Sequence, residues 1–261
     1  MGFASLGSGS KGNGTLVAVG DRLFLVDCGF SVKQTERRLQ ALNVSPGDIN
    51  AIFVSHEHAD HIGGVASLSN KYQIPVLGSY GTLRRCDDAL YREAFDGDVP
   101  FVHGGVRVNP VVVPHDARQP TQFVFDDGVE NIGVLSDLGC VTPHVIAQFK
   151  GCTHLLMEAN HDRTMLMQGG YPPRLKRRVA ADYGHLSNEQ AYALLMRLAH
   201  PGLHVLVGHV SEQNNSMSIL QEVFADMHGR LACLEFATQE HGFDWIGVRP
   251  IVRQTRFAEV F

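Results

Sequence analysis

The seven residues Ser55-His56-Glu57-His58-Ala59-Asp60-His61 follow a short apolar run, Ala51-Ile52-Phe53-Val54, that is typical of a buried strand. His56 and His58 are two positions apart, so in an extended segment their side chains point the same way. Together they could bind one metal ion. Asp60 and His61 come at the predicted turn into a helix, where they could face a second metal ion beside the one at His56 and His58. A histidine-rich surface loop is the alternative, but the strand–loop–helix context favours a metal site. Histidine nitrogen and aspartate oxygen suit zinc, manganese or iron.

The composition of the chain limits what such a site could serve. The chain has 261 residues, of which 44% are apolar, and this is enough to build a sizeable core. The formal net charge is -5, whereas a protein that depends on non-specific nucleic-acid binding is usually basic. A broad electrostatic coating of DNA or RNA is therefore disfavoured. A nuclease is not, because two divalent ions would make the site itself positive.

The cysteines and the lack of targeting patterns predict a cytoplasmic protein. The chain has five cysteines, and none of them form a C-x-x-C pair: Cys28, Cys86, Cys140, Cys152 and Cys233. An odd, scattered set disfavours a disulfide framework or a structural zinc knuckle and fits a reducing compartment. We find no signal peptide pattern and no apolar run long enough to cross a membrane. Without internal repeats or linkers, residues 1–261 are expected to form a single domain.

The remaining patterns predict a mainly β chain with interspersed helices. Strand patterns cover residues 16–19, 23–26, 51–54, 111–113, 123–125, 132–135, 155–158, 203–207, 231–236 and 243–248. Gly20-Asp21 and Asp126-Asp127-Gly128 are typical hairpin turns. Helices are predicted over 31–42, 187–198 and 216–227, each beginning at a serine. Two sheets packed face to face with helices outside would fit, although this pattern alone does not separate an αββα sandwich from a doubly wound sheet.

Three later strand patterns end in a histidine or an aspartate. They read Val113-Pro114-His115-Asp116, Leu135-Ser136-Asp137-Leu138-Gly139 and Leu206-Val207-Gly208-His209. Together with H-x-H-x-D-H after a strand, and in this order, they resemble the metallo-β-lactamase fold hydrolases. The resemblance implies an α/β fold, a four-layer αββα sandwich with its site at one edge of the two sheets.

The same resemblance implies the ligands of two divalent ions. His56, His58 and His115 would hold the first ion. Asp60, His61 and His209 would hold the second, and Asp137 would bridge both. The ions would share a hydroxide that acts as the nucleophile. Asp27 matches a family aspartate that orients ligands, with a buried structural carboxylate as the alternative.

A true β-lactamase is disfavoured. Those enzymes use a cysteine ligand, and Cys140 does stand near Asp137 in this chain. An aspartate nevertheless occupies the bridging position, and His61 is present where β-lactamases lack it.

A second constellation bears on the reaction. Glu158 ends the strand pattern Leu155-Leu156-Met157, and His185 stands in Gly184-His185-Leu186-Ser187 at the start of a predicted helix. The pairing resembles that of the tRNA 3′-processing endonuclease, where a glutamate supports a histidine that protonates the leaving oxygen. The match is partial, because the family segment is Gly-His-Ser-Thr. The expected catalytic residues are thus Asp60, Glu158 and His185; the alternative makes His185 a helix-capping residue without a chemical role.

The chain as a whole resembles the YycJ/WalJ group of bacterial metallo-β-lactamase fold proteins. The segments that carry this resemblance are 8–13, 158–162, 170–178, 184–188 and 208–215. It implies a metal-dependent 5′→3′ exonuclease acting on DNA. The basic run Arg174, Lys176, Arg177 and Arg178 would then contact phosphates, or else form a solvated helical face. The loop 8–14 either brings backbone N–H groups near the metals or a phosphate, or is a tight turn between strands.

Two other functions stay open. A small-molecule hydrolase could use the same site on a cyclic phosphodiester, a thioester or a lactone, and the acidic net charge favours it. A regulatory protein with a degenerate site is disfavoured, because competent residues fill all the ligand positions. The ligands accept zinc, manganese and iron alike, and the sequence predicts no oligomeric state.

Overall fold

The computed structural model describes residues 1–248, which form two sheets with helices on their outer faces. The first sheet contains β1 (Gly2–Gly7), β2 (Gly14–Val19), β3 (Arg22–Val26), β4 (Ala51–Val54), β5 (Val76–Ser79), β6 (Arg92–Phe95) and β14 (Phe243–Gly247). The second contains β7 (Phe101–His103), β8 (Val106–Val112), β9 (Thr121–Asp126), β10 (Asn131–Leu135), β11 (His154–Glu158), β12 (His204–Gly208) and β13 (Cys233–Phe236). The helices are α1 (Val32–Ala41), α2 (Ala59–Ile62), α3 (Val65–Tyr72), α4 (Tyr80–Leu83), α5 (Pro143–Phe149), α6 (Arg163–Gln168), α7 (Pro173–Val179), α8 (Asn188–Leu198) and α9 (Met217–Val223).

Strand order explains why polar strand ends meet. The first sheet runs β14-β1-β2-β3-β4-β5-β6 and the second runs β13-β12-β11-β10-β9-β8-β7. In the first sheet β3, β4, β5 and β6 are parallel, and in the second β10, β11, β12 and β13 are parallel. Parallel neighbours end at the same edge of a sheet, so the residues that follow β10, β11 and β12 come close together.

Alternation along each strand separates three layers of core. In β3, Phe24 and Val26 face the opposite sheet, whereas Leu23 and Leu25 face the helices. The two sheets meet through aromatic rings: the centroid of Phe125 lies 5.6 Å from that of Phe24 and 5.2 Å from that of Phe53. Separate outer cores lie under the helices of each sheet. Helix, sheet, sheet and helix therefore stack in four layers, and the predicted αββα sandwich is confirmed.

Most predicted elements are present with shifted ends. Both predicted hairpins occur, as β2–β3 and as β9–β10. The predicted helix over 216–227 ends at Val223, and a 3-10 turn over Ala225–Met227 replaces its last part. The strand predicted over 231–236 begins at Cys233.

β1 was not predicted, although it pairs with both β2 and β14. It contains glycine and serine and is buried along its whole length, so it carries no alternating pattern.

The expected single domain and the expected lack of a membrane span can be compared only with the described part of the chain. The single domain expected over 1–261 includes residues 249–261, which lie outside the described residues, and it stays a prediction. Within residues 1–248, no helix has the length and apolar character needed to span a bilayer.

Candidate metal centre

The H-x-H-x-D-H segment turns from the end of β4 into α2 beside the edge of the sheet. His58 is the residue before α2, and Asp60 and His61 lie within it. The α2 backbone packs tightly on the loop after β3, where a Cβ on Gly29 would stand 1.8 Å from the carbonyl oxygen of Asp60. Only glycine fits that contact, which fixes α2 next to the strand ends.

The first predicted ligand group converges. The Nδ1 atom of His58 lies 3.0 Å from Nε2 of His56 and 3.2 Å from Nε2 of His115. His56 and His115 are buried. Three ring nitrogens from two different sheets thus surround one point, a geometry that fits a cation.

The second group lies beside the first, and Asp137 stands between them. Asp60 Oδ2 is 3.5 Å from His61 Nε2 and 3.7 Å from His209 Nε2. Asp137 Oδ2 is 3.1 Å from His61 Nε2, and its Oδ1 is 3.3 Å from His209 Nε2 and 4.0 Å from His115 Nε2. All seven predicted ligands are therefore brought together, and Asp137 reaches histidines of both groups.

Three residues of the site have an energetically unfavourable backbone conformation that sets the direction of their side chains. Asp27, Asp137 and His209 each follow a strand and have φ values of 62°, 49° and 50°. Aspartate and histidine adopt this left-handed region more readily than most residues, but at a cost in energy. Such strain concentrates at functional sites, where the fold imposes a side-chain direction.

Asp27 orients two of the histidines. Its Oδ2 accepts a hydrogen bond from Ser55 Oγ at 2.7 Å and lies 2.8 Å from His61 Nδ1. Because Ser55 Oγ donates its hydrogen to Asp27, it is left to accept one from His56 Nδ1, which is 2.9 Å away. The outer nitrogens of both histidines are thus engaged, and Nε2 is the nitrogen of each ring that faces the cluster and would bind a metal ion.

The other side of the cluster is arranged in the same way. His115 Nδ1 lies 3.0 Å from the carbonyl oxygen of Gly184, which can only accept a hydrogen bond. His209 Nε2 is buried and has no hydrogen-bond partner. Buried polar atoms normally have a hydrogen-bond partner, so this nitrogen, which faces two carboxylates, lacks a partner that a metal ion would supply. The residues present therefore fit divalent ions.

The Asp137 carboxylate keeps its charge despite burial. Burial raises the pKa of the Asp137 carboxyl, but His209 and His61 outweigh it and hold the pKa well below its ordinary value. Burial lowers the pKa of His61, but Asp137 and Asp27 raise it well above the ordinary value. Burial likewise opposes the effect of Asp137 and Asp60 on His209, whose pKa rises to about 9. In the metal-free chain, protons on these histidines balance a negative charge that cations would otherwise balance.

The chain also matches known proteins. The family model described as "Beta-lactamase superfamily domain" matches residues 22–209. The chain belongs to the beta-lactamase superfamily.

Within this superfamily, two curated relatives cover most of the chain. It is 34% identical over 222 residues to the exodeoxyribonuclease YycJ of Bacillus anthracis, with 82% of this chain and 83% of the relative covered. It is 32% identical over 222 residues to the exodeoxyribonuclease WalJ of Streptococcus pneumoniae serotype 2, with 82% of each covered. The predicted resemblance to this group is confirmed.

A solved structure shares the fold. The metallo-β-lactamase fold protein YhfI from Bacillus subtilis aligns with a TM-score of 0.73 at 17% identity, over 94% of this chain and 99% of YhfI.

The predicted pair Glu158 and His185 adjoins the cluster. His185 Nδ1 lies 3.1 Å from Glu158 Oε2 and 3.5 Å from Asp137 Oδ1. Glu158 is fully buried, and its Oε1 accepts hydrogen bonds from the backbone N–H groups of Leu138 and Leu186. Ser187, not His185, caps α8, because Ser187 Oγ accepts a hydrogen bond from the Gln190 N–H. The capping alternative for His185 is therefore wrong.

A cavity of about 370 Å³ opens onto the cluster. Its wall includes His58, Asp60, Asp137, His185 and His209, together with Ser10, Ala59, Asn160, Tyr171, Leu175, Arg178, Val179 and Ser211. The volume falls within the usual range for a ligand site.

The predicted basic run divides between the cavity and solvent. Arg178 lines the cavity from α7 together with Leu175 and Val179. Leu175 lies three residues before Arg178 and four before Val179, which is the spacing of neighbours on one helix face. Lys176 Nζ donates to the carbonyl oxygen of Met167. Arg174 and Arg177 are exposed and lie outside the cavity wall.

The loop 8–14 supports the site and also joins two strands. It connects β1 to β2, Ser8 Oγ accepts a hydrogen bond from the His209 N–H at 2.7 Å, and Ser10 lines the cavity. Asn13 Nδ2 lies 3.2 Å from Asp60 Oδ2 and 3.0 Å from His61 Nε2. The interpretation as a connection between strands is confirmed, whereas the contacts with the site come from the side chains of Ser8 and Asn13, and backbone N–H groups directed at a metal or a phosphate stay a prediction.

Sequence reasoning assigned no role to Asp116, Asn13 or Asn160. Asp116 directly follows His115, and this adjacency was the available signal. Asn160 Nδ2 lies 3.2 Å from His209 Nδ1, and it stands two residues after Glu158. Cys140 belongs to none of the candidate metal-binding groups among the described residues.

Proposed function

We propose that this chain is a dinuclear metal-dependent phosphodiesterase that acts as a 5′→3′ exonuclease on DNA. The observation that carries the proposal is the position of His185, which joins the seven-ligand cluster to a fully buried carboxylate and opens on the cavity. Relatives named as exodeoxyribonucleases support the substrate class.

The charge of the site supports two ions. Asp27, Asp60, Asp137 and Glu158 converge on one region, and all but Asp60 are buried. Buried carboxylates are costly unless cations pair with them, and two divalent cations would balance four carboxylates. His56, His58 and His115 would hold one ion, Asp60, His61 and His209 the other, and Asp137 would reach both. Zinc and manganese both accept this mixture of nitrogen and oxygen donors.

In the proposed reaction, the residues around the ions have separate roles. When bound, two divalent ions supply a hydroxide nucleophile at neutral pH and neutralise the phosphate oxygens. His185 would donate a proton to the leaving oxygen, and the Glu158 carboxylate, 3.1 Å from Nδ1, orients the His185 ring for this transfer. Rings at 5.3 Å (His115) and 5.1 Å (His209) keep the His185 imidazole in place. Asp60 completes the second ligand group and thereby holds the reaction centre beside His185.

A small-molecule hydrolase is the second candidate. The cavity of about 370 Å³ suits a compact ligand, and the net charge of -5 does not favour a long polyanion. Cyclic phosphodiesters, thioesters and lactones are the substrates to compare.

One experiment separates the two candidates. Protein loaded with zinc or with manganese is incubated with 5′-labelled duplex DNA, bis-p-nitrophenyl phosphate and a thioester. Stepwise release from the 5′ end supports the exonuclease. Thioester cleavage with intact DNA would replace it with the small-molecule reaction, and inactivity on all three at full metal content would refute both.

We also propose that the protein is located in the cytoplasm. All five cysteines are free thiols, and burial raises the pKa of Cys28 to about 11 and that of Cys152 to about 12. Unreactive, unpaired thiols support the cytoplasm.

A further inference from the structure

Asp116 stands at the edge of the cluster with a partner that the proposed reaction leaves unexplained. Its carboxylate accepts two hydrogen bonds from Arg178, from Nε to Oδ2 at 2.5 Å and from Nη2 to Oδ1 at 3.1 Å. Its Oδ1 also lies 3.7 Å from His58 Nε2 and 3.5 Å from His115 Nε2. One carboxylate therefore touches an arginine on one side and two proposed ligands on the other.

His58 differs from the other histidines of its ligand group. It uses Nδ1 to face the cluster, so its Nε2 points outward to Asp116. Its side chain is 27% exposed, whereas those of His56 and His115 are buried. Packing restrains His58 least, so an acceptor on its outer nitrogen has the most to contribute to its orientation.

Arg178 keeps free donors on the cavity side. A guanidinium has five N–H donors, and Asp116 takes two of them. The side chain is 53% exposed and belongs to the cavity wall beside Leu175. The remaining donors suit a phosphate oxygen, for which the planar guanidinium is well shaped.

We propose that Asp116 and Arg178 form a positioning pair that couples the binding of a substrate phosphate to the orientation of His58. The Asp116 carboxylate lies 3.7 Å from His58 Nε2, and its negative charge beside that nitrogen keeps Nδ1 directed at the point where the first ion would bind. Arg178 holds Asp116 in place and binds a phosphate oxygen with the donors that Asp116 leaves free. The phosphate part rests on the proposed function, whereas the His58 part does not.

Metal affinity tests the His58 part without any turnover. Zinc affinity of the full chain is measured by competition with a chelating dye for the wild type, Asp116→Asn and Asp116→Ala. Loss of an orienting partner typically weakens metal binding by about 10–100-fold, and that weakening is expected for both variants. Asp87 pairs with Arg92 at 2.9 Å outside the cavity wall, so Asp87→Asn is the matched control and should bind zinc like the wild type. Wild-type zinc affinity in folded Asp116→Asn would overturn this part.

Kinetics test the phosphate part. Arg178→Ala is expected to raise KM for bis-p-nitrophenyl phosphate and for DNA by about 10-fold or more, with kcat changed much less, because a charged hydrogen bond to the substrate is lost. Arg178→Lys should recover part of the loss as a point charge, and Arg92→Ala should match the wild type. An unchanged KM in Arg178→Ala would refute phosphate binding. A wild type inactive on both substrates would refute the proposed function, and the zinc titration would still decide the role of Asp116.

A double-mutant cycle tests the coupling itself. Arg178→Ala should weaken zinc binding modestly in the wild-type background and have no further effect in Asp116→Asn. Additive effects of the two substitutions on zinc affinity would show that Arg178 and Asp116 act independently, and would overturn the coupling.

Discussion

The two sheets supply the metal centre in different ways. The first contributes four proposed ligands from one short segment after β4, namely His56, His58, Asp60 and His61. The second contributes three, and each follows a different strand: His115 comes after β8, Asp137 after β10 and His209 after β12. The first half of the site is thus built by local chain geometry. The second half exists only because β8, β10 and β12 run in the same direction within the sheet and therefore end at one edge.

A second contrast lies within β11 and β12 themselves. At their carboxyl ends, Glu158 and His209 lie 3.7 Å apart in the metal centre. At their other ends, His154 and His204 stack with ring centroids 5.0 Å apart, and no candidate metal-binding group among residues 1–248 includes them. A stacked histidine pair, of which His154 is buried and His204 half-buried, is therefore not sufficient for a cation site; converging carboxylates make the difference.

The largest effect is expected from a substitution of Asp137, which lies where the two ligand groups meet. Asp137→Asn keeps the shape and tolerates the left-handed backbone, but removes the charge that reaches both groups. We expect metal content to fall from two ions per chain to one or none, with hydrolysis reduced to background. Inductively coupled plasma measurement after dialysis checks this. Two retained ions would show that the halves hold metal independently.

The next effect concerns chemistry rather than assembly. His185→Ala should lower kcat on DNA by about 10²–10⁴-fold, because the leaving alkoxide oxygen loses its proton donor. Cleavage of bis-p-nitrophenyl phosphate should fall much less, because nitrophenolate leaves without taking up a proton. Metal content should stay at the wild-type level, since His185 lies beside the seven ligands and not among them. Near-normal turnover of DNA would remove His185 from the reaction.

A smaller effect is expected within the first half. Asp27→Asn removes the charged acceptor from His61 Nδ1, which it meets at 2.8 Å, while Asn still tolerates the positive φ. Zinc affinity should fall by about 10–100-fold, as for other partners that orient metal ligands. An unaltered affinity would make Asp27 a buried structural carboxylate only.

The smallest effect on the site is expected at the far ends of the strands. Burial, and then His204, lower the pKa of His154 to about 4. The unfolded chain binds this proton near pH 6.5 and the folded chain only near pH 4, so stability is lost as the pH falls through that interval. His154→Gln should leave zinc binding unchanged and reduce the acid loss by on the order of 2 kcal/mol. Urea unfolding of the metal-free protein at pH 7 and pH 4.5 measures this, and an equal acid loss in both proteins would contradict it.

The sequence predicted the fold through its strongest local signals. The apolar run Leu23–Val26, the hairpin at Asp126-Asp127-Gly128 and the serine before α8 were all sufficient to place elements. β1 was missed because Gly2, Ser5 and Gly7 interrupt its apolar residues, so it shows neither a continuous apolar run nor an alternating pattern. The end of α9 shifted because a tighter 3-10 turn replaces the last part of the predicted helix, a choice that apolar spacing does not reveal.

The sequence by itself determined the chemistry of the site, because residue types and spacing in H-x-H-x-D-H select nitrogen and oxygen donors for divalent ions. Only the tertiary structure decided the partners. It brought Arg178 to Asp116 across 62 positions and left Arg174 and Arg177 in solvent. The physical reason is that a ligand type is a property of one side chain, whereas an acceptor on its outer nitrogen depends on which distant strand or helix packs beside it.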